Sequence, residues 1–139
     1  MIKDAHDKVI HKPRASALNL HAMFDGMRPV AVTPALSNEE AMDCVKFLGK
    51  CGEHMVGIVC FDGETAWERH TADDELLFVV DGAVELTCLL DGKSERMTAQ
   101  TGDLIRVPAG IWHAQKTTGP VRIIFFTVAE GSERQVSKP

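Results

Sequence analysis

Two histidines and two acidic residues in the middle of the chain have the types and spacing of a metal site. Glu68 and His70 are two residues apart, Glu75 follows soon after, and His113 lies further along. Imidazole nitrogens and carboxylate oxygens together suit a divalent metal that keeps positions open for substrate or oxygen. One histidine alone is more often a surface or core residue, so the hypothesis depends on the joint spacing.

Turn-forming residues accompany these four candidates at fixed positions. They are Gly82 after Glu75, and Gly102, Pro108 and Gly110 before His113. Glycine permits the positive φ of a tight turn, and proline stiffens the backbone that leads to the second histidine. The pattern predicts short strands joined by turns, which would bring ligands that are distant in sequence to one centre.

The hydrophobic pattern changes along the chain. Ser37 and Glu40 form a capping-box pattern, and apolar residues at helical spacing predict a helix over 38–48 that ends at Gly49. The earlier stretches 16–24 and 29–32 are weakly predicted as extended. From about residue 53 the period becomes two, which predicts strands at 54–61, 67–70, 75–80, 84–90, 93–98, 104–107, 111–116 and 121–128. Such a series without alternating helices indicates an all-β sandwich or barrel.

Two of the predicted strands are apolar on both faces. Residues 76–80 read Leu-Leu-Phe-Val-Val and residues 123–126 read Ile-Ile-Phe-Phe. A sheet with one solvated face should alternate instead, so we expect cover for the outer face. The first 50 residues, a second subunit, or both would supply that cover, and we predict a homodimer.

The composition excludes several classes of protein. The chain has 139 residues, enough for one domain, and a net charge of −5 without a basic stripe, which argues against nucleic-acid binding. No apolar run approaches the roughly 20 residues that span a bilayer. Residues 1–12 have no apolar segment or cleavage site of a secretory signal, so we expect a cytoplasmic protein. The four cysteines lack a C-x-x-C motif and are expected to be reduced.

The second half of the chain resembles the cupin family. The first cupin signature is matched by Gly63, His70, Glu75 and Gly82, and the second by Gly102, Pro108, Gly110 and His113. The resemblance covers roughly residues 54 to 130 and implies a double-stranded β-helix, or jelly roll, that is commonly dimeric. It also implies a metal such as Fe, Mn, Ni, Zn or Cu, held by three histidines and one glutamate.

The chain departs from the cupin pattern at three points. Glu68 occupies the place of the first histidine, the gap from Gly63 to that place is one residue short, and Thr117 replaces a closing asparagine. Glu68 either serves as a ligand, giving two histidines and two carboxylates, or turns outward and leaves His70, Glu75 and His113 as a facial triad. An empty site is a third alternative.

These observations predict an all-β cupin barrel over residues 51–131, with an N-terminal extension (1–50) that contains one short helix, and a C-terminal tail (132–139). We predict a divalent metal (Fe, Mn, Ni or Zn) at His70, Glu75, His113 and Glu68. His54, Arg106 and Trp112 are expected to lie outside the chemistry, at the surface or in packing.

Three functions are compatible with such a barrel. The first is a metal-dependent enzyme that acts on a small organic molecule by dioxygenase, isomerase or decarboxylase chemistry. The second is a non-catalytic module that binds or senses a small ligand. The third is a metal-free isomerase or sugar-binding barrel in which His70 serves as a base. The acidic character of the predicted helix, with Glu39, Glu40 and Asp43, disfavours nucleic acid and leaves protein partners open.

Overall fold

The computed structural model describes residues 15–139, so residues 1–12, which were predicted not to be a secretory signal, lie outside the described residues. The described chain contains helices α1 (Leu20–Asp25) and α2 (Asn38–Ala41), with a 3-10 turn at Met42–Cys44. Its strands are β1 (Val30–Val32), β2 (Val45–Cys51), β3 (His54–Gly63), β4 (Trp67–His70), β5 (Glu75–Asp81), β6 (Ala83–Leu90), β7 (Lys93–Gln100), β8 (Leu104–Val107), β9 (His113–Lys116), β10 (Val121–Thr127) and β11 (Ser132–Gln135).

The strands form two sheets that face each other. The first has the order β1-β3-β10-β5-β8, with β2 also paired to β3, and the second has the order β11-β4-β9-β6-β7. Alternate residues of each sheet point inward, so Leu77, Val79 and Ile123 of the first sheet share a buried core with Val84 and Leu86 of the second. The predicted all-β jelly roll is confirmed.

The N-terminal helix is shorter than predicted. The capping box exists, because Ser37 Oγ accepts from the Glu40 amide at 3.1 Å and Glu40 Oε1 accepts from the Ser37 amide at 3.3 Å. Yet α2 ends at Ala41, and Val45–Cys51 forms strand β2 against β3. β-Branched and aromatic residues such as Val45 and Phe47 favour a sheet, and pairing with β3 outweighs the local helical spacing.

The other N-terminal segments differ in part from the expected extended conformation. Residues 20–25 form helix α1, which overlaps the stretch 16–24 that was predicted as extended, whereas Val30–Val32 is a strand, as predicted, and runs parallel to the end of β3. At the other end of the chain, Ser132–Gln135 pairs with β4 in the second sheet. The division into extension, barrel and tail stays a prediction.

Helix α1 covers one part of the outer face of the first sheet. Ile58 and Cys60 lie on that face and are 0% and 1% exposed, and Phe24 of α1 is 0% exposed. The guanidinium of Arg122, on the same face, lies 5.6 Å from the centre of the Phe24 ring and 3.1 Å from a carboxylate oxygen of Asp25. The N-terminal region therefore supplies part of the cover that the apolar strands require.

Gly57 allows two aromatic side chains to meet across β3. It lies opposite Phe47 of β2 on one side and Phe125 of β10 on the other. The two rings meet edge to face, with centroids 6.1 Å apart, and both line the cavity described below. A Cβ atom on Gly57 would collide with the Phe125 ring and lie 2.9 Å from the carbonyl oxygen of Lys46.

Replacing Gly57 by alanine should therefore destabilise the fold. We expect Gly57→Ala to lower the free energy of unfolding by about 1–3 kcal/mol, because the added methyl group overpacks the wall formed by Phe125. Gly119→Ala is the matched control, since a Cβ there has no atom within 4 Å and should change stability by less than about 0.5 kcal/mol. Urea unfolding of both variants measures the difference, and equal effects would contradict this account.

Candidate metal centre

Three strands and their preceding turns position the four predicted ligands. Glu68 and His70 are two residues apart on β4 and so share one side of the strand, Glu75 opens β5, and His113 opens β9. Glu68 also pairs directly with His113 across β4 and β9. His70, Glu75 and His113 are 8%, 6% and 2% exposed, whereas Glu68 is half-buried.

The polar atoms of these residues converge. His113 Nε2 lies 3.1 Å from Glu75 Oε1, and His70 Nε2 lies 3.3 Å from Glu75 Oε2. The distance from His70 Nε2 to Glu68 Oε2 is 3.7 Å. One donor atom from each of Glu68, His70 and His113 lies within 4.8 Å of the others. The structure thus brings all four residues together, including Glu68; their role as ligands stays a prediction.

In both histidines, Nδ1 is the ring nitrogen that does not face Glu75, and it lies within hydrogen-bond distance of an acceptor. His113 Nδ1 lies 3.0 Å from the carbonyl oxygen of Ile111, which can only accept a hydrogen bond, so Nδ1 carries the proton. His70 Nδ1 lies 2.7 Å from Ser132 Oγ, whose hydroxyl donates to the Val128 carbonyl at 3.2 Å. The neutral form of each histidine therefore directs the lone pair of Nε2 toward the carboxylate of Glu75.

This arrangement concentrates lone pairs in a buried space. His70 Nε2 is buried and makes no hydrogen bond with any of the described residues. With both histidines neutral, two nitrogen lone pairs face a carboxylate, which is repulsive unless a proton or a cation lies between them. The donor set of two imidazoles and two carboxylates fits a divalent transition metal, and the hydrogen bonds at Nδ1 are those that orient metal-binding histidines.

The charges of the metal-free site are strongly coupled. Burial raises the pKa of Glu75, but the hydrogen bond with His113 and the nearby charges of His70 and His113 outweigh burial and lower it from 4.5 to about 2. Burial lowers the pKa of His113, but the hydrogen bond and the charge of Glu75 outweigh this and raise it above 6.5. The pKa of Glu68 is raised, first by burial and then by the charge of Glu75.

Contacts outside the four residues hold the carboxylate and the turns in place. The Thr127 hydroxyl donates a short hydrogen bond to Glu75 Oε2. Asp74 accepts from the Ala109 amide at 2.8 Å and from Arg106 at 2.7 Å, and so joins the turn before Glu75 to the turn before His113. The Gly110 amide also donates to the His70 carbonyl oxygen at 2.8 Å. The two turns that lead to the candidate ligands Glu75 and His113 are therefore fixed to one another.

The remaining candidates lie outside the site, as predicted. The side chain of Arg106 is 64% exposed where it pairs with Asp74. His54 Nε2 lies 3.0 Å from the Asp74 carbonyl oxygen. The guanidinium carbon of Arg69 lies over the Trp112 ring, 4.9 Å from its centroid. Thr117, in the place of the closing asparagine, accepts from the Gly63 amide at 2.9 Å and donates to Asp62 at 3.0 Å. It thereby ties the end of β9 to the end of β3.

A cavity of about 340 Å³ adjoins the site, with Glu68, His70 and Glu75 in its wall. Most of its other lining side chains are apolar, and residues of the N-terminal region such as Leu36, Met42 and Phe47 form one side. A cavity of this volume and character is typical of a small-molecule site.

The sequence analysis missed four residues around this cavity and site. They are Gln115, Thr127, Ser132 and Arg134. Gln115 Oε1 is buried without a hydrogen-bond partner among the described residues. Gln115 was detectable in principle, because it lies two residues after His113 and so shares its face of β9. Ser132 and Arg134 lie in the predicted tail, where no spacing pattern marked them.

The comparisons establish the family. The family described as Cupin domain matches residues 57–129, a little over half of the chain, and the chain belongs to it. No curated protein sequence matches the chain. Within residues 15–139, no helix combines the length and apolar character needed to cross a membrane.

Solved structures support the same fold at low sequence identity. BH2720 from Bacillus halodurans is similar at 18% identity with a TM-score of 0.63, covering 91% of this chain and 92% of its own. A cupin-2 domain containing protein from Shewanella frigidimarina has 18% identity, a TM-score of 0.60, and coverages of 85% and 94%. Hydroquinone 1,2-dioxygenase from Sphingomonas sp. TTNP3, solved with 4-hydroxybenzoate bound, has 18% identity, a TM-score of 0.51, and coverages of 59% and 63%.

The coupled charges predict how the stability of the metal-free protein depends on pH. Since the pKa of Glu75 is lowered from 4.5 to about 2, its stabilising contribution is present above pH 4.5 and is lost as the pH falls toward 2. The raised pKa of His113 acts in the opposite sense, because its contribution is present below pH 6.5 and is lost as the pH rises through the raised value. Chelator-treated protein should be most stable between these limits.

Glu75→Gln should reduce the loss of stability that the metal-free protein shows as the pH falls below 4.5. The difference in unfolding free energy between the wild type and Glu75→Gln should shrink by roughly 1–3 kcal/mol between pH 5 and pH 2.5, measured by urea unfolding. Glu133→Gln is the matched control, since Glu133 makes an exposed ion pair with Arg69. A difference that stays constant with pH for Glu75→Gln would refute the assigned coupling.

Proposed function

We propose that this cupin holds a divalent metal (Fe, Mn, Ni or Zn) with His70, Glu75, His113 and Glu68, and acts as an enzyme on a small organic molecule in the adjoining cavity. The observation that carries the proposal is the pair of histidines whose Nδ1 atoms are already hydrogen-bonded, so that both Nε2 lone pairs face the Glu75 carboxylate. A cation removes the repulsion that this arrangement would otherwise create.

The metal, the residues around it and the cavity wall would have different roles in such an enzyme. A divalent metal supplies Lewis-acid activation of a carbonyl or enolate, or a site for oxygen and a chelating substrate. Ser132 and the Ile111 carbonyl hold both imidazoles in the tautomer that exposes Nε2, and Thr127 orients the Glu75 carboxylate. The apolar cavity wall would contact and orient the organic molecule.

The similar dioxygenase supports this class of function only at the level of the fold. Hydroquinone 1,2-dioxygenase is an oxygenase, and its 18% identity with this chain carries no residue-level argument. Dioxygenase, isomerase and decarboxylase chemistry remain the alternatives for the reaction.

A non-catalytic ligand-binding module is the second candidate, and one observation favours it. Among the described residues that line the cavity, the titratable side chains other than Glu68, His70 and Glu75 are Cys44 and Arg134. Burial raises the pKa of Cys44 to about 11, so the thiol stays protonated near neutral pH. No second acid–base pair therefore stands beside the candidate ligands, and turnover of a bound molecule distinguishes an enzyme from a binding module.

Metal analysis tests the proposal directly. Protein purified without chelator should contain about one divalent metal ion per chain, and His113→Ala and Glu75→Ala should each weaken metal binding by at least about a hundredfold. Affinity should also fall in acid, because protons compete for both imidazoles. Elemental analysis and calorimetric titration measure these effects.

A third histidine provides the control for this experiment. His54→Ala removes an imidazole that bonds to the Asp74 carbonyl outside the cavity, and should leave metal affinity unchanged. Full metal content in His113→Ala and Glu75→Ala would refute the proposal. Activity that persists in strong chelator would instead favour the metal-free isomerase.

We also propose a homodimer formed through the outer face of the first sheet; a cytoplasmic location stays a prediction from the sequence. Phe78 of β5 is half-buried on that face, opposite Ile124 of β10 and Leu104 of β8. Leu104 is 62% exposed. Helix α1 covers the region around Ile58 and Cys60, so this apolar area beside it is where a second copy would bind.

Leu104→Glu should therefore convert a dimer into a monomer, because it places a charge in an apolar interface. Met97→Glu is the matched control, since Met97 is 51% exposed on β7 of the other sheet. Light scattering after size-exclusion chromatography gives the mass of each variant. A monomeric wild type, or a Leu104→Glu variant that remains dimeric, would contradict the proposed interface.

A further inference from the structure

Arg134 is a cation in the cavity wall that the proposed metal chemistry does not use. It lies on β11, in register with Glu68 of β4. Among the described residues that line the cavity, it is the only lysine or arginine. Its Nη2 donates to the Leu36 carbonyl oxygen at 2.7 Å, and no other hydrogen bond joins its side chain to the described residues. A guanidinium has five N–H donors, so most of its donors are available to a ligand.

The charge of the cavity indicates what those donors would bind. Glu68 and Glu75 are the carboxylates in its wall, and they offset the two charges of a divalent metal. The charges of the wall and the metal then sum to one positive charge, because Glu68, in register with Arg134, cannot balance both the metal and the guanidinium. A ligand with one negative charge completes the balance, whereas a phosphate ester carries nearly two.

The shape of the Arg134 guanidinium and the apolar residues of the cavity wall further restrict the chemical class of the ligand. The planar fork of a guanidinium matches the two oxygens of a carboxylate. The rest of the cavity wall includes Leu36, Met42, Phe47, Met55 and Phe125, which suit an apolar body. The edge-to-face pair of Phe47 and Phe125 gives this wall a defined shape.

We propose that Arg134 is the substrate-binding residue that makes this site selective for a small monocarboxylic acid with an apolar body. The inference rests on the proposed function, since the charge balance assumes a bound divalent metal. The carboxylate would bind at Arg134 and the apolar body would lie against Phe47 and Phe125. The Leu36 carbonyl fixes the guanidinium and links this subsite to the N-terminal side of the cavity.

Paired ligands test the proposal on the full-length chain loaded with Zn²⁺. Benzoate and benzamide have nearly the same shape and differ in charge, and hexanoate and hexanamide repeat the comparison for an unbranched body. Calorimetry should show that the wild type binds each acid at least about tenfold more tightly than its amide. Arg134→Gln should reduce this preference to less than about threefold, while Zn²⁺ affinity stays within about threefold of the wild type.

Two further variants separate binding from folding. Arg134→Lys retains the charge without the fork and should give an intermediate preference. Arg96→Gln is the matched control, because Arg96 lies exposed on β7, and should behave as the wild type. Circular dichroism and thermal unfolding check that each variant is folded, and Arg134→Lys keeps the test valid should Arg134→Gln fail to fold.

The outcomes distinguish this inference from the proposed function. An acid preference that persists in Arg134→Gln would place the carboxylate on the metal and overturn the role of Arg134. A wild type without acid preference for either pair would overturn the substrate class. A wild type that binds no metal would refute the proposed function. In that case, the same titrations on the metal-free chain should give the wild type and Arg134→Gln the same ratio of acid affinity to amide affinity.

Discussion

The site depends on the repulsion between lone pairs that the fold holds together. Two imidazole Nε2 atoms point at the carboxylate of Glu75 within 3.3 Å, and their outer nitrogens are already bonded to Ser132 and to a backbone carbonyl. Neither ring can turn away without giving up that bond. The protein therefore requires a positive charge at this point, which protons or a metal supply.

The two-sheet architecture maintains this constraint. The four candidate ligands come from three strands, and contacts between turns keep those strands in place, notably Asp74 with the Ala109 amide and Gly110 with the His70 carbonyl. The polar site lies at the wall of an otherwise apolar cavity, where water screens charges weakly. We infer that the same low polarity favours a cation between the two histidines and an anion beside Arg134.

Much of the barrel was predictable because its strands have local signals. Segments β4 and β8 were predicted with their observed bounds, since alternation and flanking turn residues define them without reference to the rest of the chain. The helix predicted over 38–48 was wrong beyond Ala41, because Val45 and Phe47 have a spacing that fits either structure. Pairing with β3 decides between them, and no local pattern reports that pairing.

The sequence by itself determined the family, most of the barrel strands and the four candidate ligands, because residues such as Glu68 and His70 share a face through the two-residue period of a strand. Only the tertiary structure showed that Glu68 turns toward the site and not outward, that the Ser132 hydroxyl and the Ile111 carbonyl set the tautomers, and that Arg134 lines the cavity. These facts follow from strand register and side-chain direction. Both are set by contacts between segments far apart in the chain, which local spacing does not encode.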